Sequence, residues 1–132
     1  MMRPIHLVLI DDELLMGPLF EGIFNREMNA GTVNLHFFSS PQSGLEYLLE
    51  MKKVPELVII TDIHMPDMSG FELLRRLREN KVRARTFVVT AYEDVEYRRE
   101  MDALQIEACF KKPLDFDDLK THVLNTMQKQ SV

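Results

Sequence analysis

Apolar runs of four to six residues alternate along the chain with segments of helical period, and the alternation sets out the elements. Ile5 to Ile10 and Leu57 to Thr61 are dominated by aliphatic and β-branched residues, the pattern of strands buried on both faces of a parallel sheet. Val33 to Phe38, Thr86 to Thr90 and Glu107 to Lys111 read as three further strands. Behind the first strand, Met16, Leu19, Phe20, Ile23 and Phe24 recur at i, i+3, i+4, i+7 and i+8, which predicts a helix with all five facing the core. Pro18 belongs in the first turn, so the helix starts around Leu14 to Met16, and Leu14 and Leu15 point outward. Asn29-Ala30-Gly31 stops it.

Ser40-Pro41 opens a second helix with Leu45, Leu48 and Leu49 inward. Ser69-Gly70-Phe71-Glu72 is a capping box for a third, which carries Leu73, Leu74 and Leu77 on one side and ends near Asn80. Glu93 to Leu104 predicts a highly charged fourth helix with a thin apolar side. Asp115 caps the last one, with Asp117 and Asp118 in its first turn and Leu119, Val123 and Met127 toward the core. Strand and helix alternating in this way indicate one α/β domain built on a parallel sheet.

Composition narrows the class. The chain has 132 residues, of which 45% are hydrophobic and 28% charged, the mix of one folded domain rather than a disordered segment. Its net charge of −5, without a basic run, argues against direct nucleic-acid binding. The single Cys109 excludes an internal disulfide and fits a reducing compartment. No apolar stretch reaches membrane-spanning length, and Ile5 to Ile10 is too short for a signal peptide's core, so the expectation is a cytoplasmic protein without membrane contact.

The candidate chemistry lies at the strand ends. Parallel strands of one sheet bring their C-terminal ends to one edge, where open α/β sheets bind ligands. There the first strand delivers Asp11 and Asp12, the third Asp62, the fourth Thr90-Ala91 and the fifth Lys111-Lys112-Pro113. Carboxylates ~5 Å apart at an effective dielectric near 20 repel by roughly 3 kcal/mol per pair. A hard divalent cation relieves that repulsion, and Mg²⁺ typically takes one or two carboxylates, waters and phosphate oxygens. Zinc at His64 is excluded by the lack of a Cys or His partner at ligand spacing.

The acidic pair Asp11-Asp12, the D-x-x-M-P-x-M-x-G run from Asp62 to Gly70, Thr90-Ala91 and Lys112-Pro113, in this order, resemble the receiver domain of two-component response regulators. The resemblance covers residues 4–128 of a chain read as a single receiver domain, 1–132. It implies a three-layer, doubly wound (βα)5 flavodoxin-like sandwich, its five-stranded parallel sheet in the order 2-1-3-4-5. It implies Asp62 as a phosphoacceptor nucleophile and Mg²⁺, or Mn²⁺ in its place, as the cofactor. Asp12 would hold the metal directly and Asp11 mainly through water, with Asp62 and the backbone carbonyl of His64 completing the protein ligands. Lys112, ahead of a cis Pro113, would neutralise the transferring oxygens, and Thr90, followed by Ala91, would sense the phosphoryl group. His64 and Tyr92 would flank the solvent side of the acceptor and set the lifetime of its phosphoryl group.

The implied chain is a signalling phosphoacceptor, not an enzyme with a separate substrate. Its donor would be a histidine kinase or histidine phosphotransfer protein, for which the exposed pair Leu14 and Leu15 offers a docking site. Its output would leave through the helix at 93–104, the strand at 107–111 and the last helix, toward a second copy, an effector or a fused output domain. An end soon after the last helix suits a single-domain regulator and a fused one equally.

Two departures bear on that output. Cys109 stands where the family usually has an aromatic ring, and Gln105-Ile106 replaces a Gly-Ala, leaving the preceding helix without a glycine stop. Residues 91–108 are therefore expected to carry the change of shape. A dehalogenase-type phosphatase would need an acid at His64, and a flavodoxin would need a Ser/Thr-rich cradle in place of Asp11 to Gly17. A phosphorylation-independent binding module of the same fold is the rival of a different class, and the retention of all five site positions argues against it.

Overall fold

A computed structural model describes residues 3–92 and 96–130, with side chains described through residue 126. The elements run β1 Ile5–Ile10, α1 Met16–Ile23, α2 Asn25–Asn29, β2 Val33–Phe38, α3 Pro41–Leu49, β3 Leu57–Asp62, α4 Gly70–Glu79, β4 Arg85–Thr90, α5 Arg98–Leu104, β5 Ala108–Lys111 and α6 Phe116–Gln130. The strands form one sheet in the order β2-β1-β3-β4-β5, every neighbouring pair parallel. This is the expected doubly wound, flavodoxin-like arrangement. The order reverses between β1 and β3, so the ends of those two strands flank the switch point where such sheets hold ligands.

Each face of the sheet has its own core. Val8, Ile10, Ile59 and Val88 pack against Leu45 and Leu48 of α3, and Leu73, Leu74 and Leu77 of α4, with Met101 and Leu104 of α5 at the margin. On the other face Leu7, Leu9, Val58, Ile60 and Phe87 meet Met16, Phe20 and Phe24 of the first helical segment and Leu119 and Val123 of α6. Within this second layer Lys120 ties α6 to α1 and α2, donating to the Ile23 carbonyl at 3.0 Å and lying 3.0 Å from Glu27. The β3 strand is buried at all of its positions, as its uninterrupted apolar run predicts.

Several elements depart from the sequence reading. The first helix is two, broken at Phe24, and Leu19 is 46% exposed instead of core-facing. The cause lies at Gly17, where a Cβ would come 2.7 Å from the Phe37 ring. That close approach to β2 rotates Met16, Gly17 and Phe20 inward and turns Leu19 to solvent. Ser69 caps α4 by accepting from the Glu72 N–H at 3.1 Å, but the Glu72 carboxylate turns to Arg75 and Arg76, so only half of the capping box forms. Leu49 is partly buried at the edge of the α3 core. The strands β4 and β5 begin at Arg85 and Ala108, one residue from their predicted starts.

The charged fourth helix is shorter than predicted: Glu96 and Tyr97 are not helical, and α5 spans Arg98–Leu104, while the predicted start at Glu93 lies outside the described residues. The side chain of Met127 also lies outside them. The missing glycine stop is replaced by Gln105 itself, which adopts a left-handed conformation with φ 54°. The Ile106 N–H then reaches the Met101 carbonyl at 2.9 Å and that of Gln105 the Asp102 carbonyl at 3.3 Å, a Schellman closure with a side chain where glycine is usual. A residue with a Cβ is strained there, so Gln105→Gly is expected to stabilise the protein by about 0.5–1 kcal/mol, read as a higher urea midpoint at unchanged slope.

Candidate functional site

Asp62 ends β3 with only 6% of its surface exposed. The turn that follows is held by the Ile63 N–H on the Val89 carbonyl at 2.9 Å and by the Gly70 N–H on the Ile63 carbonyl at 2.8 Å, which brings the start of α4 back over the strand end. A Cβ on Gly70 would stand 3.1 Å from the Asp62 carbonyl carbon and closer still to its oxygen, so the glycine of the D-x-x-M-P-x-M-x-G run is required by space.

Around Asp62 the other strand ends converge. Asp11 is fully buried, and its Oδ1 accepts the Glu13 N–H at 2.9 Å. Asp11, exposed Asp12 and Asp62 each place a carboxylate oxygen within 4.8 Å of the others. The Lys112 ammonium enters from β5, 2.9 Å from Asp11 Oδ2, 3.1 Å from Glu13 Oε2 and 3.5 Å from Asp62 Oδ2. The backbone N–H of Lys112 donates to the Thr90 carbonyl at 2.8 Å, and the Lys112–Pro113 peptide is cis. Lys111 is exposed and its neighbour reaches the acids, as opposite sides of an extended chain require. Thr90 is buried beside them, with its Oγ1 accepting the Tyr92 N–H at 3.1 Å.

The electrostatics follow from this crowding. Burial raises the pKa of Asp11, an effect that the Lys112 ammonium and the Glu13 N–H only partly offset. Burial and then the charge of Asp11 raise that of Asp62. Burial works against the charge on Lys112, yet the hydrogen bond and charge of Asp11 outweigh it and hold the ammonium well above the ordinary lysine range. Asp11 Oδ2 is buried with the Lys112 ammonium 2.9 Å away, and the carboxylate donors gathered here are all oxygens. A small hard divalent cation fits that donor set, and a soft metal does not.

The remaining predicted residues fall around this cluster. Ala91 is exposed. Tyr92 is 53% exposed and stacks edge-on against the His64 ring with centroids 4.5 Å apart. The His64 N–H donates to Asp62 Oδ1 at 3.3 Å. Leu14 and Leu15, just past the acids, are 69% and 68% exposed. Cys109 is half-buried, faces the α5 side of the sheet, and has its thiol pKa pushed up by burial. Two contacts had no signal strong enough to be read from sequence: the grip of Glu13 on Lys112, and a hydrogen bond of 2.7 Å between His64 Nε2 and the Tyr97 hydroxyl. Glu13 follows the acidic pair directly and could have been suspected, whereas Tyr97 meets His64 only through the fold. A groove of about 870 Å³ between α4 and α5, lined by Leu77, Arg83 and Glu107, lies at the opposite end of the strands and contains none of these groups.

Residues 7–124 match the family model of the response regulator receiver domain. The chain belongs to that family. It is 28% identical over 118 residues to the sporulation initiation phosphotransferase F of Bacillus subtilis, covering 89% of each chain. It is 36% identical over 88 residues to the transcriptional regulatory protein FixJ of Rhizobium meliloti, covering 66% of this chain but 39% of that protein. Among solved structures, the signal receiver domain of a putative LuxO repressor protein from Vibrio parahaemolyticus superposes with a TM-score of 0.81, covering 97% of this chain and 92% of that one at 21% identity, which speaks for the fold. The crystal structure of FixJ-N superposes with a TM-score of 0.72 at 27% identity, covering 96% of each chain. The protein is a receiver domain of the two-component response regulators, and its acidic cluster is compatible with the divalent ion that the family uses. Among the described residues no helix is long and apolar enough to cross a membrane.

Proposed function

We propose that this receiver, occupying residues 4–128, accepts a phosphoryl group on Asp62 from a phosphohistidine of a kinase or phosphotransfer protein. An Asp62 carboxylate oxygen attacks the phosphorus, the P–N bond to the donor imidazole breaks, and the imidazole nitrogen keeps the electron pair and takes a proton. Lys112 lies where it can neutralise the moving oxygens, and Thr90 offers its hydroxyl to the product. Asp11, Asp12, Asp62 and the His64 carbonyl would hold Mg²⁺. When bound, the ion supplies charge neutralisation for the transferring group. The observation that carries this reading is the convergence of Asp62 with Lys112 at 3.5 Å and two further carboxylates at a buried sheet edge.

The direct experiment treats the protein with acetyl phosphate and Mg²⁺ and weighs it intact. One added phosphoryl group is expected, and none without the metal. An unmodified mass would leave the fold as a binding module only. The exposed pair Leu14 and Leu15 beside the acids is our docking surface for the donor. Leu15→Glu should slow transfer from a phosphotransfer partner about tenfold, a loss on the order of 1.4 kcal/mol, while labelling by acetyl phosphate continues at the wild-type rate. If both rates fall together, docking is not what Leu15 does. The output surface would be α5, β5 and α6, offered to a second copy, an effector or an output domain.

A further inference from the structure

The His64 imidazole has no part in the chemistry above, since that residue acts through its backbone. Its ring is nevertheless held on two sides: Nε2 lies 2.7 Å from the Tyr97 hydroxyl, and the Tyr92 ring packs edge-to-face with it at a centroid separation of 4.5 Å. Tyr97 in turn packs on Phe71, the second residue of α4, with ring centroids 5.5 Å apart. The turn that carries Asp62's neighbour is thus joined by side chains to the residue immediately before α5.

That junction matters because α5 holds itself poorly. It has seven residues, none of them buried, and its N-terminus has no side-chain cap. A free helix of that length is not stable in water, so its position depends on anchors. Along the helix and at its C-terminal end these are Met101 and Leu104 at the margin of the core, the buried Ile106, and the Arg78 guanidinium donating to the Ala103 carbonyl at 3.2 Å. At its start, Tyr97 is the anchor that reaches the acceptor turn. Cys109, partly buried in the same apolar cluster as Tyr97 and Met101, has too little bulk to report a movement by its own volume.

We propose that the His64–Tyr97 hydrogen bond is a latch that couples the Asp62 turn to α5, with Tyr97 a positioning residue acting through the His64 ring. The latch joins the element holding the proposed acceptor to the element proposed for output, and its role in signalling rests on that reading. A single net hydrogen bond corresponds to a threefold to tenfold change in a local opening equilibrium.

Hydrogen exchange of residues 98–104 tests it in wild type, Tyr97→Phe, His64→Leu and the double variant, each with and without Mg²⁺ and beryllofluoride. Without additions, each single change should speed exchange in 98–104 threefold to tenfold, leave β1 and β3 unchanged, and add nothing in the double variant. With Mg²⁺ and beryllofluoride, exchange in 98–104 should change in the wild type, while Tyr97→Phe binds the mimic yet shows no such response. Unaltered exchange in Tyr97→Phe, additive effects in the double variant, or a full response to the mimic without the hydroxyl would each overturn the latch. A wild type that ignores the mimic altogether would instead count against Asp62 as acceptor, and the additive-free arm would still decide whether the latch exists.

Discussion

Asp62→Asn is expected to take up no phosphoryl group from acetyl phosphate and, at the same time, to unfold at higher urea than the wild type when Mg²⁺ is absent. The loss follows from the carboxylate's proposed role as nucleophile. The gain follows from its surroundings: burial and the Asp11 charge raise the Asp62 pKa, so the folded protein holds that proton to higher pH than the unfolded chain does. Stability contributed by such a group is present in full below the unfolded value near 4 and is lost as pH rises through the folded value. Asparagine never ionises and escapes this loss.

The variant should therefore be more stable at pH 7 by on the order of 1 kcal/mol, because the Lys112 ammonium 3.5 Å away offsets part of the repulsion from Asp11. The advantage should shrink as pH falls toward 4 and shrink again when Mg²⁺ is added at pH 7. Intact mass and urea midpoints measure the two halves separately. Labelling of Asp62→Asn at the wild-type level would remove Asp62 from the reaction, and a variant less stable than wild type at pH 7 would contradict the electrostatic account. Lys112→Ala should keep the acceptor but lose about two orders of magnitude in labelling rate, as removal of a preorganised charge does.

The strands that mattered most were legible because burial on both faces leaves little freedom in residue choice. Apolar runs placed β1 and the acid at the end of β3, and parallel pairing then brought Asp11, Asp12, Asp62, Thr90 and Lys112 to one edge. The strand order and the roles of those residues came from family resemblance, since periodicity alone does not say which strand lies beside which. What pattern could not supply was rotation and reach. Leu19 fits an apolar stripe as well as Phe20 does, and only the contact of Gly17 with Phe37 decides which of them turns inward. Tyr97 stands in a polar, charged stretch where nothing marks it as a partner of His64, thirty-three positions away. Gln105 shows the converse: its departure from glycine was visible, but the left-handed backbone that absorbs the change was not.

Gly70→Ala should be among the most damaging single-methyl additions in this protein, although alanine is the better helix former. At the start of α4 alanine would gain at most ~1 kcal/mol in propensity. Against that gain, the new Cβ would press on the backbone carbonyl of Asp62 and come 3.1 Å from the Thr61 methyl. Neither neighbour can yield cheaply, because Thr61 and Asp62 are buried in the central strand and paired with Val88 and Val89 of β4. Overpacking of this kind costs roughly 1–3 kcal/mol, and the displaced atoms are those that aim the Asp62 carboxylate. The expected result is a lower urea midpoint together with acetyl-phosphate labelling at least tenfold slower, since a shift of a fraction of an ångström at a reacting group is felt in rate. Gly22→Ala is the matched control: it lies in α1 with nothing within 4 Å of the added methyl, so stability should rise by about 1 kcal/mol and labelling should not change. Equal behaviour of the two variants would show that helix propensity governs position 70 and that the close approach of α4 to the end of β3 is not what the glycine serves.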